Sequence, residues 1–209
     1  QLLQFLRSYQ RVTPLTIGEL WAWPSMLKLV LIENLRRLAE ELIVDRTARS
    51  AADEYVARMT NTDQHPIEFL AKLPESMAPA FVVQLLHRIR EFGFGNPSMR
   101  TLDDDLAQMH TTPEETVRID HQRQGVAQVS VANAVTSLRL CASMDWREYV
   151  EAVSLVEHIL QCDPSNTYAR MDFLSRDDQR RAIESVAKPS GEDQRRVAWR
   201  AIELARQAA

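Results

Sequence analysis

The residues from Thr13 to Tyr55, TPLTIGELWAWPSMLKLVLIENLRRLAEELIVDRTARSAADEY, constrain the fold more than any other stretch. Pro14 disfavours helical backbone at Thr13, so the chain arrives extended. Thr16 and Glu19 are spaced as a capping box, in which each side chain bonds the other residue's N–H. The turn they open carries Trp21 and Trp23, and Pro24 is expected to stop or kink it. Ser25 then reads as a fresh cap. From Met26 the apolar residues recur at helical spacing, with Leu27, Val30, Leu31, Leu35, Leu38 and Leu42 on one face. Glu33 and Arg37 stand one turn apart in the favourable acid-first order. Residues 46 to 58 contain neither Pro nor Gly, so the helix continues to Met59. The periodicity predicts a long central helix buried in a core. A stripe for a partner helix or a membrane surface is the alternative.

The chain has 209 residues, 45% of them hydrophobic, enough to bury a real core. Five glycines are few for a β-rich or phosphate-loop protein, and long 3.6-period stretches dominate. The expected fold is all-α, a bundle-like domain of about eight to ten helices with one long central helix. One domain over 1–209 is expected, with a division into 1–95 and 96–209 as the alternative. A net charge of −4, with acids and bases interspersed, gives no footprint for nucleic acid. Cys141 and Cys162 form neither a disulfide framework nor a CxxC pair and read as buried thiols. The most apolar run, Met26 to Ile32, contains Lys28 and is far shorter than the roughly 20 residues a membrane-spanning helix needs. The chain is therefore expected to be soluble. Its start at Gln1, without methionine, suggests a piece of something longer.

Along the chain, Leu2 to Gln10 reads as a short helix with Leu3, Phe5 and Leu6 available for packing. A loop over Asn61 to His65 leads to a short helix from Pro66, and a second break spans Pro74 to Pro79. Phe81 to Phe92 is helical, closed by Gly93 in the left-handed conformation, and Asn96 caps a helix that begins at Pro97. Thr112 and Glu115 box a long helix towards Leu140, whose expected buried stripe is Val117, Val126, Val129, Ala132, Val135 and Leu138. Asp145 caps a helix from Trp146 to Cys162. Ser175 with Asp178, and Ser190 with Asp193, box the last two helices, with Lys188-Pro189 as a hinge between them.

Chemical motifs are sparse. Gly93 and Gly95 lack the strand, third glycine and GK[ST] of a phosphate loop. Asp103, Asp104 and Asp105 splay around a helix and cannot all face one ion. The five histidines show no ligand spacing, and no nucleophile elbow is present. Neither catalytic nor metal-binding residues can be named from spacing alone.

Three phrases carry a resemblance: LTIGELWAWPSMLKLVLIENLRRLA (Leu15 to Ala39), SVANAVTSLRLCASMDWREYVEAVSLVE (Ser130 to Glu157) and YARMDFLSRDDQRRAIE (Tyr168 to Glu184). They resemble, in order and spacing, the bacterial cyclic β-1,2-glucan synthases, with Phe5 to Tyr9 adding a match near the start. Trp23 and Ser25 depart from the family wording, where an aliphatic pair flanks the proline. The resemblance implies a parent that is a large inner-membrane glycosyltransferase using UDP-glucose and a divalent metal. It also implies that this region lies on the cytoplasmic side, N-terminal to the membrane spans and transferase domain. No transferase or phosphorylase acid motif falls in this chain, so no catalytic residue carries over. The leading expectation is a non-catalytic helical accessory or scaffold domain whose partner is the rest of its own chain. A glucan-binding or glucan-processing module, or a stand-alone helical adaptor, are the alternatives. Residues singled out for docking or structure are Trp21, Glu33, Asn34, Arg36 and Arg37, then Asp145, Trp146 and Arg147. Arg139, Arg170 and Asp172 are candidates to pair with them. No nucleic-acid partner is expected, and the membrane is a partner only through the parent.

Overall fold

The structure, a computed structural model, describes residues 2–60, 77–93, 100, 102–104, 106–107 and 111–208. Among them there is no strand. The helices are α1 (Leu2–Tyr9), α2 (Ile17–Thr60), α3 (Pro79–Phe92), α4 (Pro113–Ser143), α5 (Trp146–Val153), α6 (Leu155–Leu160), α7 (Phe173–Ser190) and α8 (Gln194–Ala208), with a 3-10 turn at Tyr168–Arg170. This is the all-α, multi-helix architecture expected, with one helix of 44 residues. The expected helix at Pro66 and the Asn96–Pro97 cap lie outside the described residues. The chain divides into two compact units, one of residues 1–29 and 140–209 and the other of residues 30–139.

The first unit is built on caps. The Thr16–Glu19 box forms in both directions, Thr16 N–H donating to Glu19 Oε2 at 2.7 Å and Glu19 N–H to Thr16 Oγ1 at 3.2 Å. These bonds, from the backbone and then the hydroxyl of Thr16, hold the Glu19 carboxyl below its usual range. Of the two outcomes expected at Pro24, a stop or a kink, the stop does not occur: α2 runs through it, and Ser25 is an interior residue rather than a cap. A proline inside a helix lacks one hydrogen bond and costs about 3 kcal/mol or more. Here Leu20 is buried and Trp21 and Trp23 pack beside it against Leu6, Tyr149, Val150 and Val153, an apolar burial that offsets the loss.

Asp145 caps α5 as expected, accepting from the N–H groups of Arg147 and Glu148 at 2.9 and 3.3 Å. The helix expected to run unbroken to Cys162 is instead split at Ser154, whose backbone is extended (φ −68°, ψ 120°). Ser154 Oγ accepts from Glu157 N–H at 3.2 Å, so Ser154 caps a new helix. The Asp163–Asn166 loop closes as a turn in which the Asp163 carboxylate accepts from Thr167 N–H at 2.9 Å and Tyr168 N–H at 3.0 Å. The next helix starts at Phe173 with Asp172 as its cap, not at the Ser175–Asp178 pair; Asp172 accepts from Ser175 N–H at 2.9 Å. Lys188-Pro189 is likewise no hinge but the last turn of α7, which ends at Gly191 (φ 66°). That left-handed position is where glycine avoids the Cβ penalty. Ile17, Val156, Ile159, Leu160, Tyr168, Ile183, Ala198 and Ile202 form the core of this part. Cys141 is buried, whereas Cys162, expected to be buried too, is exposed.

The second unit packs the C-terminal part of α2 against α3 and the helical residues around Leu102 and Leu106. Ala52, Tyr55, Val56, Met59, Phe81, Val82, Leu85, Leu86, Ile89, Leu102 and Leu106 are its core. Gly93 closes α3 in the left-handed conformation (φ 65°), as expected. Arg49 of α2 forks onto Asp120 of α4 through Nη2 at 3.0 and 3.1 Å, with Gln124 adding a bond at 2.7 Å. Asp53 accepts from Arg88 at 2.6 Å and Gln84 at 2.8 Å, tying α2 to α3.

The expected burial of the mid-chain helices is overturned. Along α2, Val30, Leu42, Ile43 and Val44 are exposed, and Leu27, Leu31, Leu35 and Leu38 are only half-buried. On α4, Val126, Val129, Ala132 and Val135 are exposed. A stripe buries only where another element meets it, and among the described residues none covers these.

Candidate functional site

Where α5, α6 and α7 meet, the first unit encloses charge. The break at Ser154 turns Glu157 inward to 1% exposure, and Arg180 of α7 is fully buried against it. Arg180 Nη1 donates to Glu157 Oε2 at 2.6 Å and to Glu151 Oε1 at 3.0 Å; its Nη2 reaches Asp177 at 3.3 Å. Arg176 Nη2 donates to Glu151 Oε2 at 2.9 Å, and Arg181 pairs with Asp177 at 2.9 Å. Tyr168 Oη, on the 3-10 turn, donates to Glu157 Oε2 at 2.6 Å. Three carboxylates thus face three guanidinium groups, a balanced set. Burial alone would lower the Arg180 pKa, but the bonds from Glu157 and Glu151 outweigh it and hold the group above its ordinary value. Burial, then the Glu157 bond, pushes the Tyr168 phenol up. Buried charges persist only when paired and hydrogen-bonded. Two donors, Arg176 Nε and Arg180 Nε, are buried without a protein partner.

One side of this network is aromatic. The Phe173 ring lies 5.1 Å from Arg180 Cζ and 5.2 Å from Arg147 Cζ, and Trp21 meets Phe173 edge-on at 6.2 Å. Two residues singled out in the sequence, Trp21 and Arg147, therefore converge on Phe173, which was not singled out. Trp146 is half-buried, its Nε1–H donating to Cys141 O at 2.8 Å. Arg170 and Asp172 do not join Asp145, Trp146 and Arg147. Arg170 Nε donates to Asn166 O at 3.0 Å, and Asp172 is occupied as the α7 cap.

The other residues singled out belong to the second unit. Glu33 pairs with Arg36 rather than Arg37, accepting from Nε at 2.8 Å and Nη2 at 2.7 Å, and Arg36 also bonds Glu40. The Arg36 bonds hold the exposed Glu33 carboxyl below its usual range. Asn34, Arg37 and Arg139 are exposed. Arg37 lines a groove of about 670 Å3 whose walls include Leu42 and Val44 of α2 and Ile119 and Val126 of α4, with Ala78 beside them.

The buried network went unnoticed in the sequence because its members look like surface charges. The available signal was register: Phe173, Asp177, Arg180, Ile183 and Ala187 share one face of α7, so two charges sit in an apolar stripe. The Ser154–Glu157 spacing was a second, a capping signal inside an apparent helix. Chemically the arrangement fixes helices. Its carboxylates are engaged by guanidinium groups, and among the described residues no group of three or more His, Cys, Asp or Glu side chains is placed to hold a metal ion. Among the described residues no helix is long and apolar enough to cross a membrane.

Comparison with known proteins relates the chain to a region of a glycosyltransferase that builds a cyclic polysaccharide. It is 33% identical over 208 residues, 97% of its length, to the cyclic beta-(1,2)-glucan synthase NdvB of Rhizobium meliloti (strain 1021). The chain spans 7% of the length of that relative. No protein-family model and no solved structure matches it.

Proposed function

We propose that this chain is a helical accessory domain of a membrane-bound synthase that makes cyclic β-1,2-glucan from UDP-glucose, with a docking rather than a catalytic role. Its partner is the remainder of its own synthase chain, on the cytoplasmic face of the inner membrane. The observation that carries the reading is the apolar surface of the second unit. Val30 and Val44 are each 62% exposed, Ile43 64% and Val129 61%, on α2 and α4, where no other described element covers them. Runs of exposed aliphatics on long helices mark interaction surfaces. Because the chain spans 7% of its relative, the rest of such a synthase is the available cover. UDP-glucose and a divalent metal would be handled there.

The test is a full-length synthase carrying Val30→Ser, Ile43→Ser and Val129→Ser together. Cyclic glucan output from membranes should fall, while the thermal stability of the isolated 209-residue chain with the same changes stays within about 1 kcal/mol. Unchanged output at equal protein level would overturn the reading.

A further inference from the structure

We infer that the groove between α7 and α8 holds a segment of neutral glucan, with one sugar ring stacked on Trp199. The inference rests on the proposed glucan-synthase reading and goes beyond docking by giving this chain a ligand of its own. The groove lies wholly within the first unit and has a volume of about 940 Å3, at the upper end of ordinary ligand sites. Trp199 on its wall is 44% exposed, whereas Trp21, Trp23 and Trp146 are half-buried and packed in the first unit's core. Val186 and Leu204, 56% and 54% exposed, extend the apolar face beside it.

The rim decides what chemistry fits. Arg196 pairs with Glu192 at 2.9 Å and Arg200 with Glu203 at 2.9 Å, each through Nη1. Two cations and two anions leave the groove without net charge, so neither a phosphate nor a cationic peptide is favoured. The remaining N–H groups of the two guanidinium forks and the free carboxylate oxygens offer donors and acceptors side by side. A pyranose has an apolar C–H face and a ring of hydroxyls that both donate and accept. An aromatic face beside mixed, charge-balanced donors and acceptors is the complement of that ligand.

Linear β-1,2-linked glucan oligosaccharides titrated into the 209-residue chain test this by calorimetry. Saturable binding is expected, weakened about tenfold or more by Trp199→Ala and less by Trp199→Phe, with helical circular dichroism unchanged. No saturation at about 10 mM oligosaccharide, or an affinity indifferent to Trp199→Ala, overturns the inference. In the full-length synthase, Leu204→Cys in a Cys162→Ser background should react with a maleimide and be shielded by added glucan. A cysteine already shielded without glucan would assign the groove to a protein contact and also overturn it. Either failure leaves the docking role of Val30, Ile43 and Val129 untouched, because that role is read from synthase output.

Discussion

Two regions of the molecule invert the usual rule for helices. In the first unit, Arg180 and Glu157 are buried at 0% and 1% exposure; in the second, Val30 and Ile43 stand at 62% and 64%. The difference lies in what each helix meets. Residues of α7 face α5, α6 and the 3-10 turn, where Glu151 and Glu157 pair with Arg180 and Tyr168 bonds Glu157. Along residues 30–44 of α2 the cover among the described residues is partial: Val30, Leu42, Ile43 and Val44 stay in solvent while Leu31, Leu35 and Leu38 are half-buried. Burial is a property of the contact rather than of one helix's periodicity.

The comparison breaks first at the network. Arg180→Ala or Glu157→Ala removes the nearest partner of the other buried charge and opens a void in the network, and should destabilise the chain by about 3 kcal/mol, read by urea unfolding. Ile43→Ser should change it by no more than about 0.5 kcal/mol, since the side chain is largely exposed. Equal effects at the two sites would erase the distinction. Arg180→Met combined with Glu157→Leu should recover most of the loss, because an apolar pair of similar volume removes both charges.

Within the second unit, the large effects should sit at its core rather than along the mid-helix stripe. Leu85→Ala, at a fully buried position, should cost about 2–5 kcal/mol in the same measurement.

The caps come next. Asp172→Ala should lower stability measurably at neutral pH, by less than the network and core changes. The Ser175 N–H and hydroxyl lower the Asp172 pKa in the folded state. Its contribution is therefore present above the ordinary aspartate value and lost as pH falls through the lowered one. The wild-type advantage over Asp172→Ala should shrink on acidification, and an advantage that grows in acid would contradict the cap.

The smallest effect expected is at Tyr149, whose hydroxyl is buried without a protein partner and whose pKa burial pushes up to about 12 from 10.0. A raised folded pKa stabilises fully below the unfolded value and is lost as pH rises through the folded one. Tyr149→Phe should therefore remove part of the alkaline loss of stability between those two values, measured by melting temperature against pH.

Much of the architecture was legible because caps are local. Thr16 with Glu19, Asp145, and Gly93 each act as their sequence neighbours dictate. Where tertiary packing decides, legibility ended. Pro24 looks like a stop, yet Leu20, Trp21 and Trp23 hold the helix through it. Ser154 looks like an interior residue, yet it breaks the helix and aims Glu157 inward. Among the residues singled out, Trp21 and Arg147 do meet, through Phe173. Arg170 and Asp172 serve their own loop and cap instead, and the paired arginines inside are Arg176 and Arg180, one and two helical turns further on.

The docking claim is tested most directly by the solvent access of the second unit's apolar face in two settings. In a Cys162→Ser background, Ile43→Cys should react quickly with a maleimide in the isolated 209-residue chain. In the full-length synthase the rate should be slower by about tenfold or more, as burial at a specific interface requires. Equal rates in the two settings would mean that the face stays open in the whole protein, and would contradict a docking role.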